Sequence, residues 1–255
     1  MRLVGALIVV VSAVAWSWIT DPTRFPLDEQ QLRISGLVHT PAATVRERIG
    51  LPVGSTPNLF SLPTADMERR LLELPAVARA EVRVVLPDSL VVAVSERVPV
   101  LVWRTADRAF LVDAAGVLIG DAMTAGPLAP LPIVHDRRSQ PVEGPVVGGT
   151  LGDIERSVTL RLAAVTPELV GSSAERLELF IEDEEGYVLA ATPTSWRAIF
   201  GHYTPTLRSP DMIDQQVQCL RSLLATGEAA VLEVRLAVAD DRCGTYRPRP
   251  TGPGP

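Results

Sequence analysis

The chain begins with a long apolar run, and an alternation of apolar and polar positions appears only after it. The run Leu3–Ile19 has 17 residues and none of them is charged. As a helix it would extend roughly 25 Å, which is the short end of a bilayer crossing. Trp16 and Trp18 lie at its distal end, where amphipathic rings favour the headgroup layer. Arg2 precedes the run, so the positive-inside rule predicts a single-pass anchor over residues 1–20 with a cytoplasmic N-terminus.

A cleaved signal peptide is the competing interpretation of this run. Ala13-Val14-Ala15 has the small-x-small form of a cleavage site. The apolar run continues past that site to Ile19, which favours an anchor. Both interpretations place the chain after Thr20 outside the cytoplasm, and a buried core helix is the third possibility.

Residues 32–99 show strand and helix periodicities in the order β-α-α-β-β. An alternating segment is followed by two segments with apolar residues one helical turn apart, and then by two more alternating segments. Thr40 and Pro41 indicate the start of the first helix, and Thr64 the cap of the second. The predicted segments are 32–36, 40–50, 64–75, 81–86 and 90–95.

After residue 99 the pattern changes to many short strands interrupted by two helices. The first helix begins at Asp153 and is expected to close at Pro167, and the second spans about 209–227. The predicted fold class is α+β: a transmembrane helix, the β-α-α-β-β unit, and a second, mostly antiparallel β domain with two helices. The predicted strands of that domain are 100–104, 109–112, 116–119, 131–134, 176–181, 187–191, 195–200, 231–237 and 242–247.

Composition removes several classes of function. The net charge is −6, which argues against a general nucleic-acid binder because such proteins normally present a basic patch. All 24 basic residues are arginine. Without lysine there can be no P-loop lysine, Schiff-base lysine or Ser–Lys pair.

Candidate chemistry is sparse along the chain. His39, His135 and His202 are scattered among loops, so a metal site built from them would need a coincidence of folding. Asp183-Glu184-Glu185 lacks the spacing of an EF-hand and is expected to be a solvated hairpin tip. We therefore expect no catalytic, cofactor-binding or metal-binding residues, and no enzyme activity.

The two cysteines, Cys219 and Cys243, lack the C-x-x-C spacing of zinc or redox sites. If the chain lies outside the cytoplasm, they could form one disulfide. Two free, buried thiols are the alternative.

Six short motifs, in order, resemble those of the FtsQ/DivIB family of bacterial cell-division proteins. The resemblance runs from about residue 3 to residue 247 and is looser in the second half, where Leu232–Arg235 is similar to the family's "IDLR" strand. At Ala76 the chain departs from the tryptophan that is common in the family. The motifs are Leu32–Gly36, Leu51–Gly54, Leu74–Val77, Pro87–Leu90, Glu96–Pro99 and Leu111–Gly116.

The resemblance implies a domain organisation. Residues 1–20 would be the transmembrane anchor, 21–31 a linker, 32–99 a POTRA domain, 100–247 an FtsQ-type β domain and 248–255 a disordered tail.

The resemblance also implies a scaffold of the septal division machinery in the cell membrane. The protein would bind FtsB/FtsL-like partners and contact the lipid bilayer through its anchor, with no nucleic-acid partner and no small-molecule substrate. A POTRA-bearing extracytoplasmic chaperone or transport accessory protein is the alternative function, and a secreted enzyme the third.

In this family the partner contact involves the exposed edge of the last β-strand, to which a partner segment adds as an extra strand. Carried onto this sequence, the resemblance implies an edge at Arg242, Cys243, Gly244, Thr245 and Tyr246. Cys243-Gly244 gives this segment weak strand propensity, so a frayed tail is the alternative.

Overall fold

The chain divides into two compact units, residues 1–97 and residues 98–255. The anchor predicted at residues 1–20 lies mostly outside the described residues. Within the described part, no helix combines the length and apolar character needed to cross a bilayer. Of the whole chain, the computed structural model describes residues 11–12, 17–18, 21, 25–123, 131–139, 144–193, 196–236 and 243–250.

Between residues 25 and 97, the first unit is a three-stranded sheet with two helices, in the predicted order β-α-α-β-β. Its elements are β1 (Leu32–Ser35), α1 (Ala42–Arg48), α2 (Thr64–Leu72), β2 (Val77–Val85) and β3 (Ser89–Glu96), with short 3-10 turns at Glu29–Gln31 and Leu59–Ser61. β3 is the central strand, parallel to β1 and antiparallel to β2. The α+β architecture of this unit confirms the prediction from periodicity.

The helix starts differ by one residue from the prediction. Pro41 rather than Thr40 is the N-cap of α1, and Thr64 is the first residue of α2 rather than its cap. The reason at α1 is that the carboxylate of Glu96 accepts the backbone N–H of Thr40 at 2.8 Å, which holds Thr40 in the loop before the helix.

One buried cluster forms the core of the described part of the first unit. Val45 of α1 and Met67 and Leu71 of α2 are buried against Leu90 and Val92 of the central strand. Burying each side chain of this size is worth about 2 kcal/mol. The apolar residues at helical spacing in α2 and the alternating apolar residues in β3 therefore pack against each other in one core.

Gly36, which closes the first motif, occupies a position where no side chain fits. Its φ is +84°, in the region that favours glycine. A Cβ built there would lie 1.8 Å from the carbonyl oxygen of Val94. The glycine is therefore needed for the chain to turn away from β1 so close to β3.

The second unit contains nine strands and three helices among the described residues. Short 3-10 turns lie at Pro210–Met212 and Glu228–Ala230. The helices and strands are β4 (Pro99–Arg104), β5 (Ala109–Asp113), β6 (Leu118–Asp121), β7 (Ile133–Asp136), α3 (Asp153–Ala163), α4 (Pro167–Val170), β8 (Arg176–Glu182), β9 (Gly186–Thr192), β10 (Arg197–Gly201), α5 (Ile213–Ala225), β11 (Val231–Arg235) and β12 (Thr245–Pro248).

These strands form one mixed sheet in the order β12-β11-β10-β9-β8-β7-β4-β5-β6. Three of its eight described pairings are parallel, namely β4 with β7, β7 with β8, and β10 with β11. The other five are antiparallel, in agreement with the mostly antiparallel domain that was predicted.

The third helix was not predicted. Pro167 was expected only to close α3, but it is the first residue of α4. Thr166 is the N-cap of α4, and its hydroxyl accepts the backbone N–H of Leu169. A proline can begin a helix as well as end one, because its missing N–H has no helical partner in the first turn.

The main core of the second unit lies between one face of the sheet and its helices. Trp103 and Trp196 are fully buried in it, so the two indole rings serve packing. The stripe of α5, formed by Ile213, Val217 and Leu220 with Leu224, is also buried there. On the opposite face a smaller cluster contains Phe180, Val188 and Ile199.

Candidate partner-binding edge strand

β12 lies at one end of the nine-stranded sheet. It pairs with β11 on one side, and no other described strand pairs with it on the other. All four of its residues are exposed. A strand in this position presents unpaired backbone groups along its outer side, and these groups can pair with another chain.

The register shows which backbone groups point outward. The N–H of Arg249 donates to the carbonyl of Ala230 at 2.8 Å, so Arg249 faces β11. Groups alternate along an antiparallel strand, and the irregularity in this pairing lies on β11. Arg247 and Thr245 therefore also face β11. The N–H and carbonyl of Tyr246 point outward, as does the carbonyl of Pro248, which has no N–H.

A disulfide between Cys219 and Cys243 fixes the chain just before β12. It joins this segment to α5, with 5.0 Å between the two Cα atoms. The sequence left open whether these cysteines are paired, and the structure pairs them. Because Arg249 is bonded to Ala230 at the other end, the edge strand is held at both ends.

Gln216 of α5 fixes the ends of β10 and β11 from inside the core. It is fully buried, and its amide nitrogen donates to the carbonyls of Phe200 at 3.0 Å and Leu236 at 2.9 Å. Its amide oxygen accepts the hydroxyl of Tyr203. Sequence reasoning did not select Gln216, although one signal was available: it lies on the same helix face as Ile213 and Leu220.

Charged side chains run across the open face beside the edge. Arg197 contacts Glu182 at 2.9 Å and Glu185 at 3.1 Å, and Arg235 contacts Glu185 at 2.8 Å and Glu233 at 3.1 Å. Arg247 continues this series, opposite Glu233 in the register. It makes no ion pair with any residue in the described ranges, so the edge carries an uncompensated positive charge.

The structure shifts the edge strand relative to the segment expected from the sequence. Thr245 and Tyr246 lie in β12, whereas Cys243 and Gly244 precede it and Arg242 lies outside the described residues. Gly244 has a φ of +104°, which interrupts the extended conformation before Thr245. At its other end the strand reaches Pro248, which is the first residue of the segment 248–255 that was expected to be a disordered tail.

Two acidic residues of the family-like motifs have structural roles. Glu96 accepts the backbone N–H groups of His39 and Thr40, each at 2.8 Å. Partial burial raises the pKa of Glu96, but these hydrogen bonds outweigh it and the pKa is lowered. Asp113 accepts the N–H groups of Ala115 at 3.0 Å and Val117 at 2.8 Å, which fixes the hairpin between β5 and β6.

Comparison with known proteins agrees with this architecture. The family model described as POTRA domain, FtsQ-type, matches residues 29–97. The chain is 28% identical to the cell division protein FtsQ of Chloroflexus aggregans over 142 residues, 56% of this chain and 50% of that protein. It is 27% identical to the FtsQ of Chloroflexus aurantiacus over 173 residues, 67% of this chain and 59% of that protein.

A third relative is the FtsQ of Jannaschia sp., 33% identical over 86 residues, which are 34% of this chain and 26% of that protein. The chain thus spans about half the length of the first relative, and less than two thirds of each of the others named here. Three observations fall on residues 29–97: the element order β-α-α-β-β, the match to the family model, and the motifs that contain Gly36 and Glu96. The chain therefore carries a POTRA domain of the FtsQ type at residues 29–97, and it is similar to several proteins named cell division protein FtsQ.

Proposed function

We propose that this chain is a non-catalytic scaffold of the cell-division machinery. Residues 1–20 anchor it in the cell membrane, with the N-terminus in the cytoplasm and both folded units outside, at the division septum. Its second unit binds FtsB- and FtsL-like proteins and links early division proteins to septal peptidoglycan synthesis. The similarity to proteins named cell division protein FtsQ supports this role.

The outer edge of β12 is the observation that carries the proposal. A partner segment in extended conformation adds there by bonding to the outward N–H and carbonyl of Tyr246 and the carbonyl of Pro248. Pro248 limits the number of available donors, which discourages pairing with arbitrary strands. The free positive charge of Arg247 favours a segment that carries an acidic side chain nearby.

The disulfide supports an extracytoplasmic location for the second unit. Disulfides form and persist in oxidising compartments and are rare in the cytosol, where thiols are kept reduced. The pairing of Cys219 with Cys243 therefore agrees with an anchor whose C-terminal side is exported.

The direct test is capture of FtsB- and FtsL-like proteins by the full chain carrying Tyr246→Pro. This change removes the outward N–H but none of the bonds that hold β12 to β11. We expect capture to weaken roughly tenfold, since a net hydrogen bond and the local fit together contribute about 1.4 kcal/mol. Binding is measured by pull-down and by titration.

Two matched variants separate the backbone from the side chain. Tyr246→Ala keeps the outward N–H and should retain more binding than Tyr246→Pro. Thr245→Pro removes an inward N–H, so it should detach β12 from β11 and lower the melting temperature as well. Equal binding by the wild type and Tyr246→Pro would reject the edge assignment while leaving the scaffold role open.

The cellular role has a separate test. Depletion of the chain should block septation while cell elongation continues, and a fluorescently tagged copy should concentrate at midcell. Normal division after a clean deletion would refute the scaffold role, whatever the outcome of the binding experiment.

A further inference from the structure

Three exposed aromatic rings form a continuous series at the start of the first unit. The ring of Trp18 lies 5.7 Å from that of Phe25, and the ring of Phe25 lies 5.1 Å from that of Phe60, both edge to face. The exposed fractions are 51%, 37% and 40% respectively. Large aromatic side chains that are clustered and still exposed mark an interaction surface more often than scattered ones do. These three residues are called the aromatic patch below.

Backbone hydrogen bonds attach the segment around Phe25 to the POTRA domain. The N–H of Leu27 donates to the carbonyl oxygen of Pro57 at 2.9 Å, and the N–H of Leu59 donates to the carbonyl oxygen of Phe25 at 3.0 Å. The side-chain amide of Asn58 donates to the carbonyl of Asp21 at 2.7 Å. The part of the predicted linker at 25–27 is therefore docked on the domain.

Phe25 itself has a backbone conformation that is uncommon for a bulky residue. Its φ is +50°, in the left-handed region that costs a non-glycine residue about 1–3 kcal/mol. Such a conformation persists only when the surroundings fix it, and the hydrogen bonds from Leu59 to Phe25 and from Leu27 to Pro57 supply that constraint. It places the ring of Phe25 between those of Trp18 and Phe60.

We propose that the aromatic patch lies in the headgroup layer of the bilayer and holds the POTRA domain against the membrane surface. Trp18 belongs to the apolar run Leu3–Ile19, and aromatic rings are favoured at the boundary between headgroups and acyl chains. Phe25 and Phe60 contact that ring in series, so a bilayer that receives Trp18 also covers them. The proposal rests on the membrane anchor of the proposed function and adds a second contact, made by the folded domain.

The test uses the full chain reconstituted into vesicles of phosphatidylethanolamine and phosphatidylglycerol that contain a nickel-chelating lipid. A nitroxide is attached to Ser61→Cys, next to Phe60, or as a control to Arg83→Cys, on the exposed side of β2. The native cysteines are joined in a disulfide and stay unlabelled without reductant. Relaxation enhancement by the headgroup nickel should be strong at position 61 and weak at position 83.

Two double variants identify the cause. Phe25→Ser with Phe60→Ser should reduce the enhancement at position 61 to the control level, whereas Phe25→Tyr with Phe60→Tyr should retain it. Both variants must keep the wild-type melting behaviour and still float with the vesicles.

Three outcomes would overturn the proposal, and they are distinguishable. Loss of flotation of the wild-type chain would refute the anchor and the patch together. Flotation with equal, weak enhancement at positions 61 and 83 would refute the patch alone. Spin–spin broadening between labels at position 61 would show that a second copy of the chain covers the patch instead of lipid.

Discussion

At the scale of single residues, Glu228 is a carboxylate of the second unit that accepts four hydrogen bonds. It accepts the hydroxyl of Ser172, the N–H of Ser173 at 2.9 Å, the hydroxyl of Ser173 at 2.7 Å, and the indole N–H of Trp196 at 2.8 Å. Burial raises the pKa of Glu228, but these hydrogen bonds outweigh it and lower the pKa to about 2.

The substitution Glu228→Gln should therefore destabilise the second unit at neutral pH. The amide provides one acceptor for several donors, and the loss is expected to be about 1–3 kcal/mol in the free energy of unfolding. The folded-state pKa lies below the ordinary value of 4.5, so the contribution of the carboxylate is complete above pH 4.5 and disappears as the pH falls towards 2. Urea unfolding of both proteins at pH 7 and pH 2.5 measures this.

Glu184→Gln is the matched control. Glu184 is exposed at the tip between β8 and β9, and its carboxylate makes no hydrogen bond or ion pair within the described ranges. The substitution Glu184→Gln removes the same charge as Glu228→Gln, but we expect it to lower the free energy of unfolding by less than about 0.5 kcal/mol. A difference between wild type and Glu228→Gln that stays constant from pH 7 to pH 2.5 would contradict the pKa assignment.

At the scale of elements, the sequence predicts what depends on local pattern and fails where a distant contact decides. The stripe of α5 and the alternation of β3 are repeated signals, and both elements lie where they were expected. The start of β12 depends on the bond between Cys243 and Cys219, which are 24 positions apart, and on the positive φ of Gly244. Periodicity carries no information about either feature.

The same limit explains the residues that sequence reasoning missed at the site. Gln216 and Glu228 acquire their roles from partners on other elements, and no short motif surrounds them. The parallel pairing of β4, β7 and β8 likewise joins segments that are far apart in the chain. Glu96 was the exception, since it opens one of the six motifs that resemble the FtsQ/DivIB family.

Removing the disulfide tests how strongly β12 depends on its attachment. We expect Cys219→Ser with Cys243→Ser to lower the free energy of unfolding by about 3 kcal/mol. Without the disulfide, the unfolded chain regains the conformational freedom that the closed loop had removed. The strand should also fray from its N-terminal end, so capture of the FtsB/FtsL-like partners should weaken. Hydrogen exchange at Thr245 and Arg247 measures the fraying, and the unreduced wild type is the reference.

A reduced wild-type protein should behave like the double variant in both measurements. Unchanged exchange at Thr245 after reduction would mean that β11 alone holds the strand, and the disulfide would then serve only global stability. Hydrogen exchange in β3 is the internal control, because β3 belongs to the other unit, whose sequence contains neither cysteine.

At the scale of the whole molecule, the described residues of each unit form a main hydrophobic cluster of their own. One lies between Leu27 and Val94, and the main core of the other unit lies between Leu101 and Leu236. Stability in each unit is therefore set by its own buried side chains. If the POTRA domain localises the protein and the second unit holds its partners, damage to one core should separate these activities.

Leu71→Ala and Leu220→Ala form a matched pair for this test, since both leucines are fully buried in helices. Each change should cost about 2–5 kcal/mol, the sum of lost burial and the cavity left behind. Calorimetry of the exported region should show two transitions, of which Leu71→Ala lowers one and Leu220→Ala the other. Only Leu220→Ala should reduce capture of FtsB/FtsL-like proteins at temperatures between its own melting point and that of the wild type. If Leu71→Ala lowered both transitions and the capture equally, the two cores would unfold as one cooperative unit, and the division of roles between them would be wrong.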